Sequence, residues 1–169
     1  MDRAALQALQ APLKERYREE SAAAVVTLRA QGRLGEEAVS CSVDTGRALV
    51  EAGLHSATGG DGTLACSGDM LLQALVACAG VTLRAVATSL EIPVRGGQVH
   101  AEGDLDFRGT LGVSRDAEIG FRDIRLRFEL DTDASEEQLS TLLRLTERYC
   151  VIYQTLVNPP AVTTSSQAI

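Results

Sequence analysis

From Met70 to Leu83 the chain reads MLLQALVACAGVTL, an almost wholly apolar run of about 14 residues closed by Asp69 on one side and Arg84 on the other. A bilayer span needs ~20 such residues, so the run is too short to cross a membrane. It has no polar face to turn toward water, and a helix that is apolar nearly all round must lie inside a packed molecule. This predicts a central helix that begins near Ser67, which can cap it, and stops before Pro93. Asp69 then stands in the first turn, facing the positive end of the helix dipole. In the middle of the run sits one sulfur, Cys78. It is either a small hydrophobe filling a core or a nucleophile hidden in one.

What surrounds such a helix follows from the patterning on either side. A chain of 169 residues is most simply one domain, with residues 1–20 as an N-terminal helical extension and residues 21–169 as the domain itself. The extension carries Ala5, Leu6, Leu9 and Leu13 at helical spacing over residues 3–19, interrupted near Pro12. Residues 22–30, 36–44 and 47–52 read as three strands of an antiparallel meander, with turns at Gly32, Gly35 and Thr45-Gly46. Alternation in the second strand puts Cys41 on its apolar face. Residues 53–68 form a Gly, Ser and Thr-rich loop, without the lysine of a phosphate-binding loop or the glycine spacing of a dinucleotide fold.

After the central helix, Val99, Ala101, Gly103, Leu105 and Phe107 alternate with polar residues, and Ile124, Leu126, Phe128 and Leu130 do the same, giving two half-buried strands. Ser135 and Gln138 form a capping box. The box opens a helix whose inner face is Leu139, Leu142, Leu143, Thr146, Tyr149, Cys150 and Tyr153. The chain closes on at most one short strand and a polar tail. The fold class is therefore α+β, with sheets segregated from two long helices.

Composition narrows the function. The net charge of -7 and the absence of any Lys/Arg run argue against a nucleic acid or an anionic membrane as partner. The first 20 residues lack the pattern of a signal peptide, which points to the cytoplasm. Cys41, Cys66, Cys78 and Cys150 are separated by 25, 12 and 72 residues. None forms the short pair usual in structural zinc sites, and a permanent disulfide is disfavoured in a reducing compartment. His55 and His100 read as surface residues.

One cysteine on each long helix leaves a redox pair as the chemistry to consider. A thiolate attacks a peroxide O–O bond and becomes a sulfenic acid, and a neighbouring thiol condenses with it to a disulfide. Apolar surroundings raise a thiol's pKa, however, and Cys78 lies too far along its helix for the dipole to help. Ionising it requires a positive group from elsewhere.

The segment SGDMLLQALVACAGVTL, followed about 70 residues later by LTERYC, resembles the osmotically induced protein C and organic hydroperoxide resistance (OsmC/Ohr) family of thiol peroxidases. The resemblance spans roughly residues 21–163. It implies antiparallel sheets wrapped around two central helices in an intertwined homodimer, with Cys78 as the peroxidatic and Cys150 as the resolving cysteine. It also implies an acidic residue at Asp69, where the peroxidase branches usually carry glutamate, and an activating arginine best matched by Arg33, with Arg29 and Arg47 as rivals. Nine residues of helix separate Asp69 from Cys78 by ~14 Å, so a catalytic Asp69 would serve the partner chain's thiol or orient a partner arginine; otherwise it only stabilises the helix start. Cys150 is followed by Val151 where many members have proline. The implied activity is reduction of an organic hydroperoxide, with a dithiol reductant restoring the pair and no metal, flavin or nucleotide cofactor. The other reading is a dimeric binding protein for a small apolar ligand, with both cysteines as packing.

Overall fold

The computed structural model describes residues 2–20, 32–34, 40–44 and 49–168. Helix α1 (Arg3–Glu19) opens with the Asp2 carboxylate accepting the Ala5 amide at 2.8 Å. It runs through Pro12 without the expected interruption. Proline removes one helical hydrogen bond, and the loss is tolerated in a helix that packs on α2 and is tied to it by an Arg3–Glu91 ion pair at 2.7 Å.

Three short antiparallel strands follow, β1 (Gly32–Leu34), β2 (Ser40–Asp44) and β3 (Leu49–Gly53), in the order β1-β2-β3. Gly32, expected in a turn, belongs to β1, because Gly32, Arg33 and Leu34 pair with Val43, Ser42 and Cys41 and so satisfy their backbone groups. The strand expected over residues 22–30 and the Thr45-Gly46 turn lie outside the described residues, as does the side chain of Cys41. The Gly-rich loop contains one 3-10 turn, Ser56–Thr58, and touches β3 through an Ala52–Ala65 bridge.

Helix α2 (Ser67–Leu90) is the centre of the molecule. Cys66, not Ser67, is its N-cap: Cys66 is extended and its carbonyl accepts the Met70 amide at 3.0 Å, which places Ser67 already inside the first turn. At the far end Glu91 takes a left-handed conformation (φ 57°) and the Ile92 amide returns to the Ala87 carbonyl, ending the helix two residues before Pro93. At 24 residues α2 is long and apolar enough to cross a membrane by length and composition. Here it packs on α1, β4, α4 and α5, as the core helix of a folded domain does.

Burial on α2 is one-sided, contrary to the expectation of an all-round cover. Leu75, Ala79, Leu83, Val86 and Ala87 are buried, whereas Val81 is 74% and Leu71 37% exposed. The described elements of one chain cover one flank of an apolar helix.

That flank meets a two-stranded antiparallel sheet, β4 (Gly96–Leu105) and β5 (Phe121–Asp131). Val99, Ala101, Ile124, Leu126 and Phe128 face α2, and the alternate residues form a charged outer face on which Arg125 bridges Glu102, Asp104 and Asp123. Phe107, expected to extend β4, instead opens the short helix α3 (Phe107–Thr110), capped by Asp106. A side chain on Gly103 would meet the Phe121 ring at 2.5 Å. Glycine there lets the ring lie across β4.

Helix α4 (Glu136–Tyr149) starts at the expected capping box, both halves of which are formed. Replacing Ser135 by Ala should cost about 1 kcal/mol in a denaturant titration. The helix does not continue through Tyr153. It stops at Tyr149, and a second helix, α5 (Val151–Val157), begins at once. No strand follows; residues 158–168 are irregular.

Two apolar clusters share α2. Leu83, Val86, Ala87 and Ile92 close around Leu142 of α4, and Leu75 and Ala79 close around Cys150.

Candidate active site

The site is made by the break between α4 and α5. Cys150 is extended (φ -74°, ψ 110°), serving as C-cap of one helix and N-cap of the next. Its amide still reaches the Thr146 carbonyl at 2.9 Å, and its carbonyl accepts the Gln154 amide at 2.9 Å. The first amides of α5, those of Val151, Ile152 and Tyr153, therefore precede the first intrahelical bond and have no partner inside the helix. The Gln154 side chain donates to the Glu147 carbonyl at 2.9 Å, satisfying an acceptor that the end of α4 leaves open. Tyr149, expected inside, is turned out by the break and is 58% exposed, with the Arg148 guanidinium 5.5 Å from its ring.

Those amides face two sulfurs. Cys150 is fully buried in the cluster with Leu75 and Ala79, and Cys78, half-buried on the same turn of α2, packs against it. Both are free thiols, as is Cys66. Burial works to raise the pKa of Cys78, but it is outweighed by the Ile152 amide, the Cys150 thiol, the Val151 amide and the Thr82 hydroxyl, donors near the sulfur that favour its charged form. The net direction is downward. For Cys150 burial again comes first, and the hydrogen bond to Cys78 and the negative charge there add to it, against the Tyr153 and Ile152 amides; the net direction is upward. The pair is thus polarised. Ionisation is favoured at Cys78 and disfavoured at Cys150.

The sequence called for a positive group; the described groups that favour the Cys78 thiolate are neutral donors. Charge-assisted hydrogen bonds to an anion are about twice as strong as neutral ones, and amides fixed by a helix need no reorientation to make them. Sequence reasoning missed Thr82, Val151 and Ile152. Thr82 was legible in principle, since it lies four residues after Cys78 and on the same helix face. The amides were not, because nothing in Tyr149-Cys150-Val151 announces a break.

A thiol alkylates only as thiolate, so the alkylation rate of Cys78 rises with pH through its pKa, and a lowered pKa puts the midpoint below that of an ordinary cysteine. Thr82→Val should move this midpoint upward and slow alkylation at neutral pH by up to about tenfold. Thr82→Ser should restore it. An iodoacetamide pH profile checks both.

The other expected site residues are placed as follows. Asp69 lies in the first turn of α2, exposed, on the rim of a cavity of about 390 Å³ whose walls are Leu72, Val76, Ala77 and Ala101. The apolar wall reaches Ala77, next to Cys78. Arg33 lies in β1 opposite Ser42, and its side chain lies outside the described residues, as do Arg29 and Arg47. His55 accepts the Ala57 amide and stacks on Phe107 at 5.0 Å. His100 lies on the outer face of β4, its Nε2 3.5 Å from Glu129. Among the described residues no group of three or more His, Cys, Asp or Glu side chains is arranged to hold a metal.

The architecture is that of an α+β domain with two thiols packed against an apolar central helix. Residues 60–165, more than half of the chain, match the family model described as OsmC-like protein, and the chain belongs to the OsmC/Ohr family. No curated protein sequence matches it. Among solved structures it is similar to an OsmC-like protein from Mycoplasma pneumoniae (TM-score 0.65, 18% identity, covering 79% of this chain and 89% of that one). It is also similar to an organic hydroperoxide resistance protein from Elizabethkingia anophelis (0.64, 15%, 80% and 91%) and to one from Legionella pneumophila (0.61, 16%, 79% and 91%). At these identities the likeness establishes the fold.

Proposed function

We propose that the protein is a thiol-dependent hydroperoxide reductase in which Cys78 is the peroxidatic and Cys150 the resolving cysteine. The observation that carries this reading is the packing of two free thiols, Cys78 and the fully buried Cys150, in one apolar cluster, with ionisation favoured at the first and disfavoured at the second. Cys78 attacks the terminal oxygen of an organic hydroperoxide, the O–O bond breaks, and an alcohol and a Cys78 sulfenic acid result. Cys150 displaces the sulfenic oxygen to give a disulfide, which a dithiol reductant returns to two thiols by exchange. The family and its hydroperoxide-resistance neighbours support the redox assignment.

The working unit in this reading is a homodimer. Its support is the exposed apolar flank of α2, with Leu71 and Val81 at its surface, which a second copy would cover. Asp69, about 14 Å from its own Cys78, and Arg33 then act on the thiol of the partner chain. Sedimentation should give a species of two chains, and Val81→Asp should shift it to one.

The deciding experiment is intact mass after one equivalent of an organic hydroperoxide. A loss of two hydrogens mapped to a Cys78–Cys150 bridge is expected. Unchanged free thiols would leave a binding protein whose apolar cavity beside Ala77 holds a small ligand.

A further inference from the structure

We propose that Cys150 is also the general acid of the O–O cleavage step: its S–H, fully buried and packed with Cys78 in the apolar cluster of Leu75 and Ala79, gives its proton to the departing alkoxide. This inference builds on the peroxidase reading above.

The chemistry demands a donor at this point. Attack by the Cys78 thiolate breaks the O–O bond heterolytically and releases an alkoxide, a strong base whose charge is costly to leave unpaired in apolar surroundings. The Val151 and Ile152 amides can hydrogen-bond to it but have no proton to transfer. From β4 and β5 the cluster is faced by Val99, Ala101, Ile124, Leu126 and Phe128, none of them protic. Among the described residues at the two sulfurs, the Thr82 hydroxyl is that of an alcohol, a far weaker acid than a thiol, and Tyr153 packs on the cluster from α5.

The electrons and protons balance without a further reactant. The Cys78 thiolate supplies the electron pair that forms the S–O bond, and the alkoxide leaves with the pair from the O–O bond. The Cys150 proton converts that alkoxide to alcohol, and Cys150 becomes the thiolate. The Tyr153 and Ile152 amides already face its sulfur and receive the charge. The Cys150 thiolate then attacks the sulfenic sulfur of Cys78, the S–S bond forms, the S–O bond breaks, and hydroxide leaves to take a proton from water. Cys150 is thereby made nucleophilic by the step that creates its target, and is protonated until then.

The test is single-turnover oxidation of Cys78 in the reduced full-length protein, comparing wild type with Cys150→Ala and Cys150→Ser. It is followed by quenched-flow mass spectrometry on a series of hydroperoxides whose alcohols differ in acidity. Each protein is measured at a pH on the plateau of its own alkylation profile, where Cys78 is fully ionised and any change in its pKa drops out. Both variants are expected to form the sulfenic acid about 100-fold more slowly than wild type. Their rates should also fall steeply as the leaving alcohol becomes less acidic, while the wild-type rate barely changes. The near-isosteric serine guards against a fold lost to the alanine cavity. Variants that oxidise Cys78 at the wild-type plateau rate, with the wild-type dependence on the alcohol, would overturn the inference and leave Cys150 a resolving thiol alone. A wild type whose Cys78 is not oxidised overturns instead the peroxidase reading on which the inference stands.

Discussion

Cys78→Ser should abolish turnover of an organic hydroperoxide such as cumene hydroperoxide, lowering the rate by about three orders of magnitude, or about 4 kcal/mol of transition-state stabilisation. Serine keeps the size and the hydrogen bonds of the position but not its acidity. Donors that hold a thiolate cannot ionise a hydroxyl at neutral pH, so the variant folds with an intact cavity and no nucleophile. A coupled assay that follows loss of peroxide in the presence of dithiothreitol measures the effect. Equal rates for wild type and variant would remove the enzymatic reading. The substitution should leave thermal stability within a few degrees of wild type, because Cys78 is half-buried and keeps its neighbours.

The opposite pattern is expected for Leu142→Ala. Leu142 is completely buried at the end of α2 away from the thiols, among Leu83, Val86, Ala87 and Ile92. Its truncation should lower stability by about 3 kcal/mol through lost burial and the cavity left behind, seen as a fall in Tm of about 6–12 °C. Per folded molecule, the rate at which Cys78 reacts with iodoacetamide should not change. The contrast between the two variants separates the half of the core that only holds the fold from the half to which the proposed function assigns the chemistry. Loss of Cys78 reactivity in folded Leu142→Ala would show that the two clusters are coupled along α2.

The strongly patterned parts of the fold were legible. The apolar run around Cys78, the alternation of Ile124 to Leu130 and the Ser135 capping box each produced the expected element, because each is a long signal with one solution. The misreadings cluster where local rules compete. Ser67 looked the better cap but Cys66 occupies it; Pro12 looked like a breaker but sits in a continuous helix; Phe107 continued a strand pattern that Asp106 ends by capping a helix turn. In each case the backbone's hydrogen-bond partners were settled by tertiary context that a sequence window does not contain.

For the site, the sequence placed Cys78 and Cys150 in the apolar interior, where they pack together, but not the groups around them. Their helical faces put Cys78 and Cys150 inside, the resemblance supplied their implied roles, and the need for a group to oppose the burial of Cys78 was argued from electrostatics alone. The search then looked for a cation, since only side chains appear in a sequence. The groups found on the sulfur are main-chain amides exposed by a helix break between Tyr149 and Val151, together with one hydroxyl. Whether an arginine adds to them depends on Arg33, whose position in β1 was itself read as a turn.

The kink at Cys150 bears on how such a protein can drift. An activating arginine is one codon away from loss, whereas peptide N–H groups are present whatever side chain the gene specifies, and only a proline erases one. A reactive sulfur held by the main chain thus tolerates wholesale replacement of the residues around it, provided the bend in the chain is inherited.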